Sequence, residues 1–247
     1  MSHLHRFIVE DLAADAAHVV LTGEEAHHAV RVTRVRPGDA VCVFDGKGLE
    51  VVGECEAIAR DTVRICAKQT TRHAPPRVRM TLAVGGLHRD KPHEEIIRRA
   101  TELGAWHICF WHGDHSQRPI KETARWRKVA LEACKQCGRP YLPTVYAAPS
   151  LDSFLSQYQG PSVIGLLTQA CTAPSPPVPV TDRLALLVGP EGDFSAREQA
   201  LALNAGAQPV SLGAYAYRSE VAATALLTIA AFQLGDFGSG VLPTPES

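Results

Sequence analysis

Residues 184–232 read LALLVGPEGDFSAREQALALNAGAQPVSLGAYAYRSEVAATALLTIAAF. Two apolar runs, Leu184–Val188 and Pro209–Leu212, each lead into glycine: Gly189-Pro190-Glu191-Gly192 after the first, Gly213 after the second. Short apolar runs bounded by turn residues predict buried strands. Glycine takes positive φ without strain and lets backbone approach a ligand closely. Two glycine loops at the C-terminal ends of parallel strands predict a small-molecule pocket at the sheet's edge. Ser195-Ala196-Arg197-Glu198 has the pattern of a capping box, and Gly206 ends the helix it opens. From Ser219 to Leu234 the chain is apolar on nearly every face, which predicts a buried helix, here against a second copy of the chain.

Upstream, strands and helices alternate after residue 78, which predicts an α/β domain with a mostly parallel sheet. The readings are a strand at Val78–Val84, a helix from Pro92 with a stripe at Ile96, Ile97, Ala100 and Leu103, and a strand at His107–Trp111. A helix at Glu122–Cys137, a short helix capped by Ser150 and a strand at Ser162–Leu167 follow. After Val84 the chain offers Gly85-Gly86-Leu87 and not G-x-G-x-x-G, and no Walker A loop occurs, so neither a Rossmann dinucleotide site nor a P-loop is expected. Residues 1–73 read as a small β-rich barrel: strands at His5–Glu10, Ala40–Phe44, Leu49–Ala59 and Thr62–Lys68, and one helix to about Thr33 opened by a capping box at Thr22-Gly23-Glu24-Glu25. Ala74-Pro75-Pro76 reads as a linker, residues 78–238 as the second domain, Ala173–Val180 as an exposed connection, and residues 239–247 as a frayed tail.

The chain has 247 residues and a net charge of −1, but residues 78–140 hold 12 Lys and Arg against 7 Asp and Glu, and residues 141–247 hold 3 against 8. The middle third can therefore present a basic face to phosphates, or, on charge alone, simply solvated helix surfaces. Seven scattered cysteines fit a reducing compartment. With no signal-peptide core in MSHLHRFIVE and no apolar run of membrane length, the expectation is a cytoplasmic protein off the membrane. His27-His28 lie side by side on a helix, and His107, His112 and His115 straddle a strand and a loop; neither set has zinc spacing, so no metal is expected. Cys134-Lys135-Gln136-Cys137 sits at a helix C-terminus, where the dipole disfavours a thiolate, and reads as core packing.

GPEG before a capped helix, then SLG, then Arg218-Ser219-Glu220 opening an Ala/Leu-rich helix, resembles the C-terminal half of the SPOUT methyltransferases. Together with HHAVRVTRVRPGDAVCVFDGKG near the N-terminus, ATELG at Ala100–Gly104 and EACKQCGR at Glu132–Arg139, the chain resembles the bacterial 16S ribosomal RNA uridine N3-methyltransferase family over about residues 5–237. The resemblance implies a trefoil-knotted α/β domain behind an N-terminal PUA-like RNA-binding domain, a homodimer, S-adenosylmethionine (SAM) as cofactor, and 16S RNA or the small ribosomal subunit as partner. Two departures stand out. Asp193 replaces the family's second glycine in GPEGG, and Tyr217 and Val221 replace Leu and Thr around Arg218 and Glu220.

The implied cofactor site comprises Leu167, Thr168, Val188, Gly189, Pro190, Glu191, Gly192, Ser211, Leu212, Gly213, Tyr217 and Ala222. The implied RNA-binding residues are His27, His28, Arg31, Arg34, Arg98, Arg99 and Arg139. Uracil N3 must lose its proton before it can attack a methyl group. Arg218 beside the carbonyl oxygens would favour the anion, and Glu191 or Glu220 could take the proton. Bland readings stand beside these: Glu220 steadies the first turn of its helix, Glu191 caps nearby amides, and Asp193 accepts hydrogen bonds at the terminus of the Ser195 helix. A non-catalytic RNA-binding protein on the same fold is the alternative function; a hydrolase built on Glu191 and Asp193 lacks a nucleophile or metal motif.

Overall fold

A computed structural model describes residues 4–116, 120–166, 181–213 and 215–235. The chain forms two compact units, residues 1–76 with 131–142, and residues 77–130 with 143–247. The break at residue 76 follows Pro75-Pro76. Inclusion of residues 131–142 in the first unit was not legible in the sequence.

In the first unit, strands β1 (His5–Ile8), β2 (His18–Thr22), β3 (Ala40–Phe44), β4 (Leu49–Ile58) and β5 (Thr62–Arg72) form one sheet in the order β1-β3-β4-β5-β2. β1 runs parallel to β3, and the remaining pairs are antiparallel. Alternation puts Phe7, Leu21, Val41, Val43, Val51, Val63 and Ile65 on one buried face. Register shifts at Val52/Gly53, where a Cβ on Gly53 would lie 2.4 Å from the Cys66 carbonyl oxygen, so only glycine fits this bend.

The helix before β3 differs from its expected form. α1 (Gly23–His27) runs into a π-helical turn at His28–Val32, and the Thr22 side chain makes no capping bond. Glu25, the residue that would close the box, is engaged elsewhere: its Oε2 accepts from the Ile8 amide at 3.0 Å and its Oε1 from Lys135 Nζ at 2.7 Å. Strand β2 was not expected either. Cys134 is buried with Phe44 and Leu131, and burial pushes its thiol up to about 12, far from a reactive thiolate.

In the second unit, β6 (Arg79–Gly85), β7 (His107–Trp111), β8 (Thr144–Ala148), β9 (Ser162–Leu166), β10 (Arg183–Val188) and β11 (Gln208–Ser211) form a parallel sheet in the order β11-β9-β10-β6-β7-β8. β8 was not expected; it is a five-residue strand between Pro143 and Pro149. Helices α2 (Asp90–Glu102), α3 (Ala124–Cys137), α4 (Leu151–Gln157), α5 (Ala196–Asn204) and α6 (Ser219–Leu234) complete the chain; the last part of α3 belongs to the first unit. α4 and α5 cover the sheet face that carries Ala83, Cys109, Trp111, Ala185 and Leu187. α6 packs on β6 and β10 with α2 beside it, and buries Ala223, Leu226, Leu227, Ala230, Ala231 and Leu234. Gly235, at φ 77°, ends α6 in a left-handed cap, and Arg77 Nη2 donates to the Leu234 carbonyl at 2.9 Å.

Candidate cofactor pocket

β9, β10 and β11 are neighbours in the sheet, so their C-terminal ends open onto one edge. There they enclose a pocket of about 280 Å3, at the end of the strands where parallel sheets bind ligands. Its wall is made of Gly165 and Leu166 from β9, Val188–Asp193 leaving β10, Leu212 and Gly213 leaving β11, Tyr215–Tyr217, and Ser219 and Ala222 from α6. Of the residues expected to hold a cofactor, Val188, Gly189, Pro190, Glu191, Gly192, Leu212, Gly213, Tyr217 and Ala222 line this pocket. Ser211 stands one residue back, its Oγ accepting from the Gly213 amide at 3.3 Å. Leu167 and Thr168 lie outside the described residues. Gly165, Leu166, Asp193, Tyr215, Ala216 and Ser219 line it as well and were not among the expected residues. A glycine inside a strand is the signal that exposes the first of these.

The first glycine loop is fastened from three sides. A Cβ on Gly85 would stand 2.4 Å from Pro190 Cδ, so the end of β6 seats the proline. The Glu191 carboxylate accepts from the His88 amide through both oxygens, at 3.1 and 3.0 Å. His88 is itself set by buried His93, whose Nε2 accepts from the Leu87 amide and whose Nδ1 donates to the Arg89 carbonyl. On the third side His115 Nδ1 contacts the Asp193 carbonyl at 3.2 Å.

Behind this loop the capping box of α5 is complete, with Ser195 Oγ accepting from the Glu198 amide and Glu198 Oε2 from the Ser195 amide. Glu198 is only 1 % exposed, and its Oε1 accepts from the Asp114 amide at 3.1 Å. One buried carboxylate therefore ties the loop after β7 to the loop after β10. Asp114 completes the tie, accepting from Arg197 at 2.6 and 3.0 Å and from Ser195 Oγ at 2.6 Å. The Arg197 guanidinium, then the Ser195 hydroxyl, hold its carboxyl down at about 2.

Asp193 sits at φ 60°, a left-handed conformation that Asp tolerates better than most residues. Its Oδ1 accepts from the Phe194 amide at 2.8 Å, so the carboxylate that departs from the glycine pattern is engaged by backbone just ahead of α5. Arg218 is the N-cap of α6; its carbonyl accepts from Val221 and Ala222. Its exposed guanidinium is not part of the pocket wall, and among the described residues it makes no hydrogen bond or ion pair. Glu220 lies half-buried in the first turn of α6.

The candidate RNA contacts fall in both units. In the first, His27, Arg31 and Arg34 are exposed, His28 stands edge-on to Phe7, and Arg139 is half-buried, with burial lowering its pKa. In the second, Arg98 is exposed on α2 and Arg99 pairs with Glu95 one turn earlier. Among the described residues no group of three His, Cys, Asp or Glu is placed to hold a metal, and no helix is long and apolar enough to cross a membrane.

Comparison with known proteins agrees with this geometry. The RNA methyltransferase domain family matches residues 74–231, and the RNA methyltransferase PUA domain family matches residues 21–65. Ribosomal RNA small subunit methyltransferase E of Synechocystis is 30% identical over 233 residues, covering 90% of this chain and 76% of that protein. The Mycobacterium bovis protein of the same name is 30% identical over 234 residues, covering 90% and 88%. A crystal structure of ribosomal RNA small subunit methyltransferase E from Neisseria gonorrhoeae, bound to S-adenosyl methionine, superposes with a TM-score of 0.79 at 26% identity, covering 94% of this chain and 97% of that one. The chain belongs to the RNA methyltransferase family, and within it to the ribosomal RNA small subunit methyltransferase E proteins.

Proposed function

We propose that the chain transfers a methyl group from SAM to N3 of a uridine in 16S ribosomal RNA. The observation that carries this is the glycine-walled pocket at the C-terminal ends of β9, β10 and β11. Its residues fit the cofactor. A Cβ on Gly189 would fall 2.9 Å from both Asp193 Oδ1 and the Phe194 amide, so the loop has no room for a side chain, and its backbone from Val188 to Gly192 and at Leu212–Gly213 is left to hold an adenosine. SAM, when bound there, supplies the electrophilic methyl group.

The chain's own residues supply the rest. Arg218 stands at the rim with its guanidinium unengaged among the described residues, able to donate two parallel hydrogen bonds to planar oxygen acceptors. It holds the uracil carbonyl oxygens and favours the N3 anion. Of the two candidate bases, Glu191 has both oxygens on the His88 amide, which supports its role as a loop brace. Glu220 has no such engagement among the described residues and takes the N3 proton.

Residues 1–73 serve as the RNA-binding module, with Arg31, Arg34, His27 and His28, and residues 78–238 as the catalytic domain, with Arg98 and Arg99 on α2. The strand order supports the trefoil knot: β11 returns beside β9 after β10 has been laid down, and α6 then reaches back to β10 and β6. Val221, Ile229 and Phe232, the last 74 % exposed, support a homodimer through α6, since a contiguous apolar face of this kind is covered in soluble proteins. A cytoplasmic location follows from the substrate.

Single-turnover methylation of 16S RNA tests the assignment. Arg218→Ala should slow the step by about 10²–10³, as for a lost oxyanion donor, with SAM affinity unchanged, and Glu220→Gln should slow it more than Glu191→Gln does. Near-wild-type rates for both Arg218→Ala and Glu220→Gln would refute these roles; SAM binding without methyl transfer to any RNA would leave the non-catalytic reading.

A further inference from the structure

A second cavity, of about 510 Å3, opens at the opposite, N-terminal edge of the same parallel sheet. Its floor continues the sheet face that α4 and α5 cover. On that face the apolar residues Ala83, Ala185 and Cys109 give way, toward the strand starts, to Arg79, Thr81, Arg183 and His107. Phe154 and Tyr158 of the α4 segment stack on each other at 5.6 Å and form one wall.

Three features of this floor call for an occupant. Arg79 and Arg183 are direct register partners on β6 and β10, about 4.8 Å apart across the ladder, and like charges in that position destabilise a sheet. Among the described residues their compensation is slight. Arg79 lies over the Trp106 ring at 5.1 Å, and Arg183 meets Asp182 at 3.5 Å with side chains 52 % and 76 % exposed, a geometry of small worth. Among the described residues, Tyr158 Oη and His107 Nδ1 are buried in the wall without a hydrogen-bond partner, a state that is costly to leave uncompensated. Burial first, and Arg79 second, hold the pKa of His107 below its ordinary value, which favours the neutral ring, whose two nitrogens are one donor and one acceptor.

We propose that this cavity is a second ligand site, separate from the cofactor pocket, that takes a phosphate-bearing ligand of mononucleotide size. The phosphate sits between Arg79 and Arg183, where paired guanidinium groups match its oxygens. The polar edge of the base reaches His107 Nδ1 and Tyr158 Oη. The volume lies within the range of small-ligand pockets. The same chemistry is offered by a free nucleotide or by the 5′-terminal nucleotide of an RNA strand.

Calorimetric titration of the full-length protein, with SAM present in excess, tests the site using uridine 5′-monophosphate, adenosine 5′-monophosphate, a 5′-phosphorylated tetranucleotide and inorganic phosphate. At least one mononucleotide should bind with Kd near or below ~1 mM. Arg183→Ala and Arg79→Ala should each weaken it about tenfold, and Tyr158→Phe, which removes only the unpartnered hydroxyl, about threefold, as expected for charged and neutral hydrogen bonds. Tighter binding of the tetranucleotide assigns the site to an RNA end, and binding of the mononucleotide alone assigns it to a free nucleotide. Absence of binding by either mononucleotide at ~10 mM, equal binding by the double arginine variant, loss of binding as SAM is raised, or phosphate binding as tight as the nucleotides would each overturn the proposal. Unchanged melting temperatures of the exposed-residue variants exclude misfolding as the cause of any loss.

Discussion

The two glycine loops that face each other across the candidate cofactor pocket are built differently. The loop after β10 is fixed by Gly85, by the His88 amide, by His115, and by the buried Glu198 with Asp114 and Arg197 behind it. The loop after β11 has a bond between Ser211 Oγ and the Gly213 amide, a tyrosine at Tyr215 that is 77 % exposed, and Tyr217 at 42 %. The wall formed by the loop after β10 is therefore held in place from several elements of the second unit. Preforming that wall removes part of the ordering cost of binding.

The contrast can be broken from its rigid side. Gly85→Ala should have the largest effect. The new methyl overlaps Pro190, overpacking costs about 1–3 kcal/mol, and a protein of this size should lose roughly 2–12 °C of melting temperature along with SAM affinity. Tyr215→Ala on the other loop should leave the melting temperature unchanged, so equal losses for the two would erase the distinction. Glu198→Gln keeps the volume but turns an acceptor into a donor facing a backbone amide. Its expected cost is about 1–2 kcal/mol, read as a lower urea midpoint together with weaker SAM binding; a variant with normal SAM affinity would show that the tie between the two loops does not position the pocket.

Acid gives the smallest effect. The Asp114 carboxyl is held at about 2 against an ordinary 3.8. A depressed carboxylate stabilises the fold above its unfolded pKa and loses that contribution as pH falls through the folded value. The stability difference between the wild type and Asp114→Asn should thus be constant above about pH 5, shrink below pH 4 and vanish near pH 2. A difference that persists at pH 2 would mean that Asp114 acts by shape and not by charge.

The same sequence pattern succeeded at one capping box and failed at the other, and the reason is physical. Ser195 and Glu198 close their box because the second carboxylate oxygen finds the Asp114 amide without leaving the cap. Glu25 stands at the equivalent position after Thr22, yet Lys135 and the Ile8 amide, both remote in sequence, draw its carboxylate away. Local pattern located the strands β3, β6, β7 and β10 because their apolar runs end in glycine or follow tight turns. It missed β2 and β8, short strands that depend on partners elsewhere in the chain. The two glycine loops were legible as a pocket; the fastening of one of them by His93, His115 and Asp114 was not, since it depends on three strand ends meeting at one edge.

Helix α3 has a consequence for the birth of the protein. Synthesis runs from the N-terminus, but Phe44 and Ile8 are covered by Leu131, Cys134 and Leu142, and Glu25 is neutralised by Lys135. At about 5–20 residues per second, the first unit waits roughly 3–13 s after residue 76 is made before its last pieces exist. During that interval the nascent sheet is an unfinished body exposed to chaperones, and ribosome-arrest force measurements should place its folding after residue 142 emerges; a force peak at residue 76 would show that the late segment is dispensable.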